Sequence, residues 1–460
     1  MFRRPLVSLL LPITVSLLVC GCAVDRMRLP QFDAAFESGN YQGARRIAAE
    51  QVSGSQPHRA LLWQLQEATI DRMLGQYQAS NAGFDRCEQA FKYYELENLG
   101  IAGGKTAVTV LSNDSLRPYS GEQYDRIMVN VYKALNFAAL GDHENARVEF
   151  NRALQRQVRA KERFAAEIAR NEREVTREEA SQGTSPGSTE RTMESPQTQA
   201  ILSREYSNLD RFQAYPDFVN PFATYTAGLY FLLRGDCDKA LDILKEAHGM
   251  LPDNPIVADD FASADANRRV LGKVYVLFEN GVVPARNEVR LDLPLFIVTN
   301  RVRYMGIALP TLAPRPRAFP YLDIVSNGAT GRTIPLASMD AVVAAEFKKD
   351  LPMVVSRAVA SAIAKAALQY VAQRQMGDLA GILAAGYSAI STAADQRIWS
   401  SLPKEFQVGV TTMPTNGQLV LRRPGSSEII VPLPSCANAI VSVRIPRADA
   451  LPTVQIIAFN

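Results

Sequence analysis

The sequence predicts a multi-domain chain: an N-terminal all-α array of helical repeats over 32–266, followed by an α+β domain over 267–460 that is strand-rich with an inserted Ala-rich helical block at 339–394. Three observations predict it. Gly39, Gly75, Gly141 and Gly235 are each followed five residues later by Ala or Ser, the kind of internal period that stacked helix pairs produce. After Ala266 the apolar residues change from helical spacing to alternation, as in Lys273 to Phe278. Within that strand-rich part, 339–394 returns to long runs dominated by Ala and Gly.

A length of 460 residues accommodates two or three cores, and 47% hydrophobic with 21% charged residues is ordinary for globular protein. The net charge of +3 and the lack of any basic run give no reason to expect a nucleic-acid partner.

The chain opens with Arg3 and Arg4, an apolar run from Leu6 to Val19, and then Val19-Cys20-Gly21-Cys22. This is the pattern of a signal peptide, 1–21, with a small residue before the cysteine that becomes the lipidated N-terminus. It resembles the lipobox of bacterial lipoproteins, with Cys22 as the modified residue; an ordinary secretory signal or a short anchor is the alternative. The apolar run is too short to span a bilayer, for which about 20 residues are needed. By the same resemblance, Ala23 in place of Asp implies sorting to the outer membrane, with the chain lipid-anchored there, facing the periplasm and carrying its acyl chains as palmitate-type lipid. Residues 22–31 then form the tether.

The clearest repeat is Thr226 to Pro255, where Gly228 and Gly235 are small enough for two antiparallel helices to meet and Ala240 and Ala247 line the crossing. The other copies repeat parts of it: Gly39 with Ala44; Gly75 with Phe84 and Cys87; Gly141 with Ala146, Phe150 and Ala153. Gly39 and Gly75 are 36 positions apart and Gly75 and Gly141 are 66, near one and two units of about 34 residues, so a degenerate unit is expected between the last two. These segments resemble tetratricopeptide repeats, which implies protein binding along a concave groove.

Leu99 to Thr106 ends in Gly-Gly-Lys-Thr but lacks the first glycine of a phosphate loop and has no strand before it, so no nucleotide is expected there. From Glu144 a charged helix runs to about Ala180, its outer part read as a solvated projection. Gly183 to Gln199 is nearly devoid of apolar residues and reads as a flexible insertion.

In the C-terminal part, strands are expected at 273–278, 302–308, 322–325, 407–410, 419–421, 428–431, 440–445 and 454–458, and helices at 339–349, 354–375 and 379–394. Arg357 and Lys365 interrupt the second helix and the third is too short to span a membrane, so a soluble hairpin is expected over a pore-forming one.

No chemistry of a familiar kind is visible. His58, His143 and His248 are remote in sequence from one another and from any cysteine, so no metal is expected; no nucleophile elbow occurs, and no cofactor is implied. Of the cysteines left after processing, Cys87, Cys237 and Cys436 are an odd set, read as buried thiols with a single disulfide as the alternative.

Three stretches resemble an uncharacterised family of bacterial outer-membrane lipoproteins with helical repeats. They are Arg117-Pro-Tyr-Ser-Gly-Glu-Gln-Tyr-Asp125 with Val131-Tyr-Lys-Ala-Leu-Asn136; Met339-Asp-Ala with Glu346-Phe347; and Ala394-Asp-Gln-Arg-Ile-Trp399 with Leu402-Pro403. The resemblance implies cell-envelope, specifically peptidoglycan, assembly and brings no catalytic residues. Tyr119, Glu122, Arg397 and Trp399 are the expected partner contacts. A non-catalytic scaffold or adaptor binding an envelope protein is therefore the expected function; a component of an export or secretion assembly, or a cell-wall enzyme, are the alternatives.

Overall fold

The computed structural model describes residues 28–98, 117–181, 186–298, 301–376 and 393–460. The signal segment, Cys22, the glycine-rich stretch 99–106 and residues 379–392 of the third expected helix lie outside them, as does any unit between the second and third repeats within 99–116. Among the described residues no helix is long and apolar enough to cross a membrane.

A helical region comes first and a strand-containing region follows. The helices are α1 (28–37), α2 (Tyr41–Ser53), α3 (Leu61–Met73), α4 (Tyr77–Asn98), α5 (Gln123–Ala139), α6 (His143–Ser181), α7 (Ser188–Glu194), α8 (Pro196–Glu205), α9 (Pro221–Leu233), α10 (Cys237–Met250) and α11 (Pro255–Asp265). Short polar motifs start three of them. Ser195, Asn220 and Asn254 accept first-turn N–H groups, each followed by a proline whose missing N–H costs the helix nothing at that position.

One device closes four hairpins. Gly39, Gly75, Gly141 and Gly235 all sit at φ between +75° and +79°. The residue after each donates back to the carbonyl five positions before it: Asn40 to Ala35, Gln76 to Asp71, Asp142 to Phe137 and Asp236 to Phe231, at 2.8–3.0 Å. This is the helix C-terminal turn that favours glycine because a Cβ is strained there. Gly235 is thus a turn residue with open space around it, not the point of close helix approach expected from its sequence. Gly228 does serve that role, since a Cβ there would come within 2.7 Å of Leu244. Ala44, Phe84, Ala146, Phe150, Ala153, Ala240 and Ala247 are buried between the helices of their pairs.

The strand region holds a five-stranded sheet in the order β11-β10-β1-β7-β6, formed by Thr453–Phe459, Asn438–Ile445, Lys273–Asn280, Glu405–Thr412 and Ile334–Ser338. Strands β1 and β10 are parallel and the other neighbours antiparallel. Strand alternation sends Tyr275, Leu277, Phe406, Val408, Ile440 and Ile457 to the helices and Val274, Val276, Phe278, Val441 and Val443 to the opposite face. That second face packs on a four-stranded sheet, β5-β4-β8-β9, made by Ala329–Arg332, Asp323–Ser326, Gln418–Arg422 and Ile429–Pro432. The layers run helices, sheet, sheet. A ribbon of β2 (Ala285–Val298) and β3 (Arg301–Ala313) lies against α12 (Met339–Met376), with Leu291, Leu293 and Leu309 packed on Val355, Val359 and Ile363.

Several expectations change. The helical array and the α+β part do not keep separate cores: one apolar cluster runs from Leu61 through Tyr132 and Phe222 to Phe406 and Phe459. Phe222 stacks on Phe406 at 3.5 Å, so the inner face of the helices is filled by the chain's own sheet. The described part of the supposed flexible insertion is α7 and the start of α8. Its hydroxyl residues Ser188, Thr189, Thr192, Ser195 and Thr198 are buried while its charged and amide side chains are exposed, and the Glu179 carboxylate takes the N–H groups of Gly187 and Thr189. The far part of α6 is not wholly solvated either. Ala160 and Phe164 pack on Phe218 and Met353, and Asn171 bonds Ser356. Residues 339–349 and 354–375 belong to one helix that runs through Pro352. Strand β2 escapes a hydrophobicity reading because its first half, Ala-Arg-Asn-Glu, is polar. Cys87, Cys237 and Cys436 are free thiols, the first two buried.

Candidate functional site

Residues 117–125, 339–350 and 394–399, far apart in sequence, meet where the helices join the ribbon. The extended backbone at Glu122 starts α5, and the Asp125 carboxylate closes that start by accepting from the Glu122 N–H at 3.0 Å and the Tyr119 hydroxyl at 2.5 Å. Glu346 reaches across from α12 and takes the next two N–H groups, Gln123 at 2.5 Å and Tyr124 at 3.1 Å. A carboxylate against a helix N-terminus is well placed electrostatically.

Two arginines complete the junction. Arg286, from β2, pairs with Glu122 at 3.0 Å, donates to the Arg397 carbonyl at 3.2 Å and lies over the Phe347 ring. Arg397 grips Asp395 at 2.8 Å and donates to the Arg117 carbonyl at 2.7 Å. Burial alone would disfavour the Arg286 charge, but Glu122, the phenols of Tyr124 and Tyr119, and Asp395 outweigh it and hold the group firmly protonated. Asp395 is pushed up by burial and then brought below its ordinary range by Arg397 and Arg286.

On the inner side of Arg286, carboxylate oxygens of Glu122, Glu346 and Asp350 lie within 4.8 Å of one another. Burial, then the Glu122 charge, pushes both Glu346 and Asp350 well above the ordinary carboxylate range. These three oxygens are the described group able to hold a metal ion, a possibility that the scattered histidines and cysteines did not signal.

On the outer side a cleft of about 360 Å³ opens between α1 and the ribbon, lined among others by Asp33, Arg286, Arg315, Asp395, Arg397 and Ser400. Arg315 binds Asp33 at 3.3 Å and Glu37 at 2.9 Å, and Ser400 donates to Asp33 at 2.5 Å. Both aspartates lining the cleft are therefore engaged by arginine, and none of the three histidines lines it. The carboxylic acids that burial raises to about 7, Asp125 and Asp260, are in the interior under tyrosine hydroxyls and do not line the cleft.

Of the four expected partner contacts, two are overturned. Trp399 is wholly buried, donating to Thr69 at 2.9 Å and meeting Tyr132 edge-on, and Tyr119 is buried beneath Arg397. Glu122 and Arg397 belong to the junction, and Arg397 also lines the cleft. Sequence reasoning passed over Arg286 and Asp350. Asp350 had a signal: with Glu346 it makes an i, i+4 pair of like charges, which a helix tolerates only when something else compensates. Arg286 had none, being one arginine among many in a polar strand start.

No family model, no curated protein and no solved structure matches this chain.

Proposed function

We propose that this chain is a lipid-anchored, periplasm-facing protein of the bacterial outer membrane that acts without catalysis, holding a protein partner of the cell envelope. The proposal keeps the tetratricopeptide character of the hairpins α3–α4, α5–α6 and α9–α10 but moves the binding surface. Their inner face is covered by the chain's own sheet, and the cleft beside α1 is a recess that the described residues leave open. The observation that carries the reading is the place of that cleft. Leu29 and Pro30 line it, so it lies within about 25 Å of extended chain from Cys22, close to the bilayer if that cysteine carries lipid. The arginine pairing of the cleft carboxylates supports binding over catalysis, and a partner in peptidoglycan assembly follows from the family resemblance.

The test is affinity capture of the lipidated protein from crosslinked envelopes, compared with a variant in which exposed Asn287 and Gln396 at the cleft are both replaced by Trp. Neither residue is part of an ion pair named above, so the fold is expected to survive. Loss of one defined set of proteins supports the reading. An unchanged set removes the cleft from it, and a stable stoichiometric oligomer would favour an export assembly instead.

A further inference from the structure

We infer that Glu122, Glu346 and Asp350 form a site for a hard divalent cation of the calcium class, which clasps the start of α5 to α12. The donors are all oxygen, with no imidazole or thiolate among them, which favours calcium, magnesium or manganese over zinc or copper. Three carboxylates converging within 4.8 Å of one another suit calcium, which takes roughly six to eight oxygen ligands, better than magnesium, which usually keeps its waters and uses about one or two carboxylates.

The acidic cluster is not the only indication. The Tyr124 hydroxyl is 98% removed from solvent by burial (2% exposed) and has no hydrogen-bond partner. Glu122 and Glu346 of the cluster are among the charges that act on it, after Asp125, which places the hydroxyl beside the same group of carboxylates. A buried hydroxyl left unbonded is costly, and a cation or its bound water would satisfy it. Asp350, half-buried, makes no hydrogen bond or ion pair among the described residues; the Glu122 and Glu167 charges act against its ionisation and those of Arg286 and Arg357 for it. Both Glu346 oxygens already accept N–H groups, which orients the carboxylate as a ligating group is oriented by its supporting contacts. Arg286 neutralises Glu122, which leaves Glu346 and Asp350 as the two carboxyl groups that offset the charge of a divalent ion once it displaces their protons.

The site joins two parts of the chain that are more than two hundred residues apart, so its role is structural: it fixes the junction that forms the inner wall of the cleft. The experiment uses the full lipidated protein in detergent, stripped with a chelator and titrated with calcium, magnesium or manganese. Calcium is expected to raise the melting temperature by several degrees. Asp350→Asn, which is isosteric and breaks no hydrogen bond, is expected to weaken calcium binding on the order of 10–100-fold. The metal-free variant should be at least as stable as the metal-free parent, because asparagine carries no ionisable group for burial and the Glu122 charge to penalise. Terbium in place of calcium, excited through tyrosine, should emit from the parent protein and not from Asp350→Asn. A parent protein indifferent to calcium would overturn the inference, as would a calcium response or terbium emission that persists unchanged in the variant.

Discussion

Helices α5 and α9 occupy equivalent places as the inner helices of two hairpins, and both are buried nearly throughout, yet they are buried by different chemistry. Every residue of α9 is buried, and apart from two threonines it offers only apolar and tyrosine side chains. In α5 the buried residues include Asp125, Arg126, Asn130, Lys133 and Asn136. Lys133 pairs with Asp85, Glu88 and Glu149 at 2.7–3.0 Å, and Asn130 bridges Glu88 and Glu149. The lesson is that α9 holds its place chiefly by excluded water and close packing, with the Tyr225 and Tyr230 hydroxyls as its polar anchors, whereas α5 is set by a network of charged and amide partners. The helix with the specified position is also the one that begins at the candidate site.

The two largest expected effects test this contrast. Phe222→Ala removes the ring stacked on Phe406 and should cost about 3–5 kcal/mol by denaturant unfolding, nearly independent of pH. Lys133→Met leaves buried carboxylates without their ammonium and should also cost about 3–5 kcal/mol near neutral pH. The two should separate in acid. Burial pushes Glu88 up, but Lys133 and Arg156 outweigh that and hold it below its ordinary 4.5. Its stabilising contribution is therefore present above pH 4.5 and is lost as pH falls through the lowered value, so the Lys133→Met penalty should shrink in acid. Equal pH responses for the two variants would remove the contrast.

Next in size is the effect of Asp260, held between the hydroxyls of Tyr225 at 2.8 Å and Tyr275 at 2.6 Å. Burial raises it from 3.8 to about 7. Its folded-state value lies above the unfolded one, so the stability it contributes is full below pH 3.8 and is lost as pH rises through about 7. Asp260→Asn, which cannot ionise, should flatten the stability profile between those limits and be the more stable protein at pH 8. A profile parallel to that of the parent would show that the carboxyl titrates elsewhere.

The smallest effects distinguish the two kinds of glycine. Gly228→Ala drives a Cβ against Leu244 and should cost about 1–3 kcal/mol through overpacking. Gly235→Ala meets no atom and should cost only about 1 kcal/mol, the strain of a left-handed backbone. A larger loss at Gly235 would mean that the turn contributes more than its own conformation.

Much of the fold is legible in the chain because it rests on local rules. The four glycines are legible as a period, though only the structure shows them to be left-handed helix ends, and the strands at 273–278 and 440–445 are legible as apolar runs because both faces of the sheet are covered. The misreadings share a cause. The stretch 183–199 reads as flexible because it is polar, and the expected helices at 339–349 and 354–375 stop on either side of Pro352, through which the single helix α12 runs. Neither reading could include the neighbours: Glu179 supplies the start of α7 with acceptors, and the ribbon and α6 hold α12 on both sides of the proline.

What the sequence determined by itself is the order of the elements, helices and then strands, together with the spacing of each repeat glycine from its Ala or Ser and the expectation of a lipid-bearing start, since each depends on residues within a few positions of one another. The tertiary structure alone decided that the inner helical face is filled by the chain's own sheet and that Trp399 is core. It also brought Glu122, Arg286, Glu346 and Asp350 together. The reason is physical: a charge acquires its value from burial and from the charges beside it, and those come from segments that local spacing does not relate.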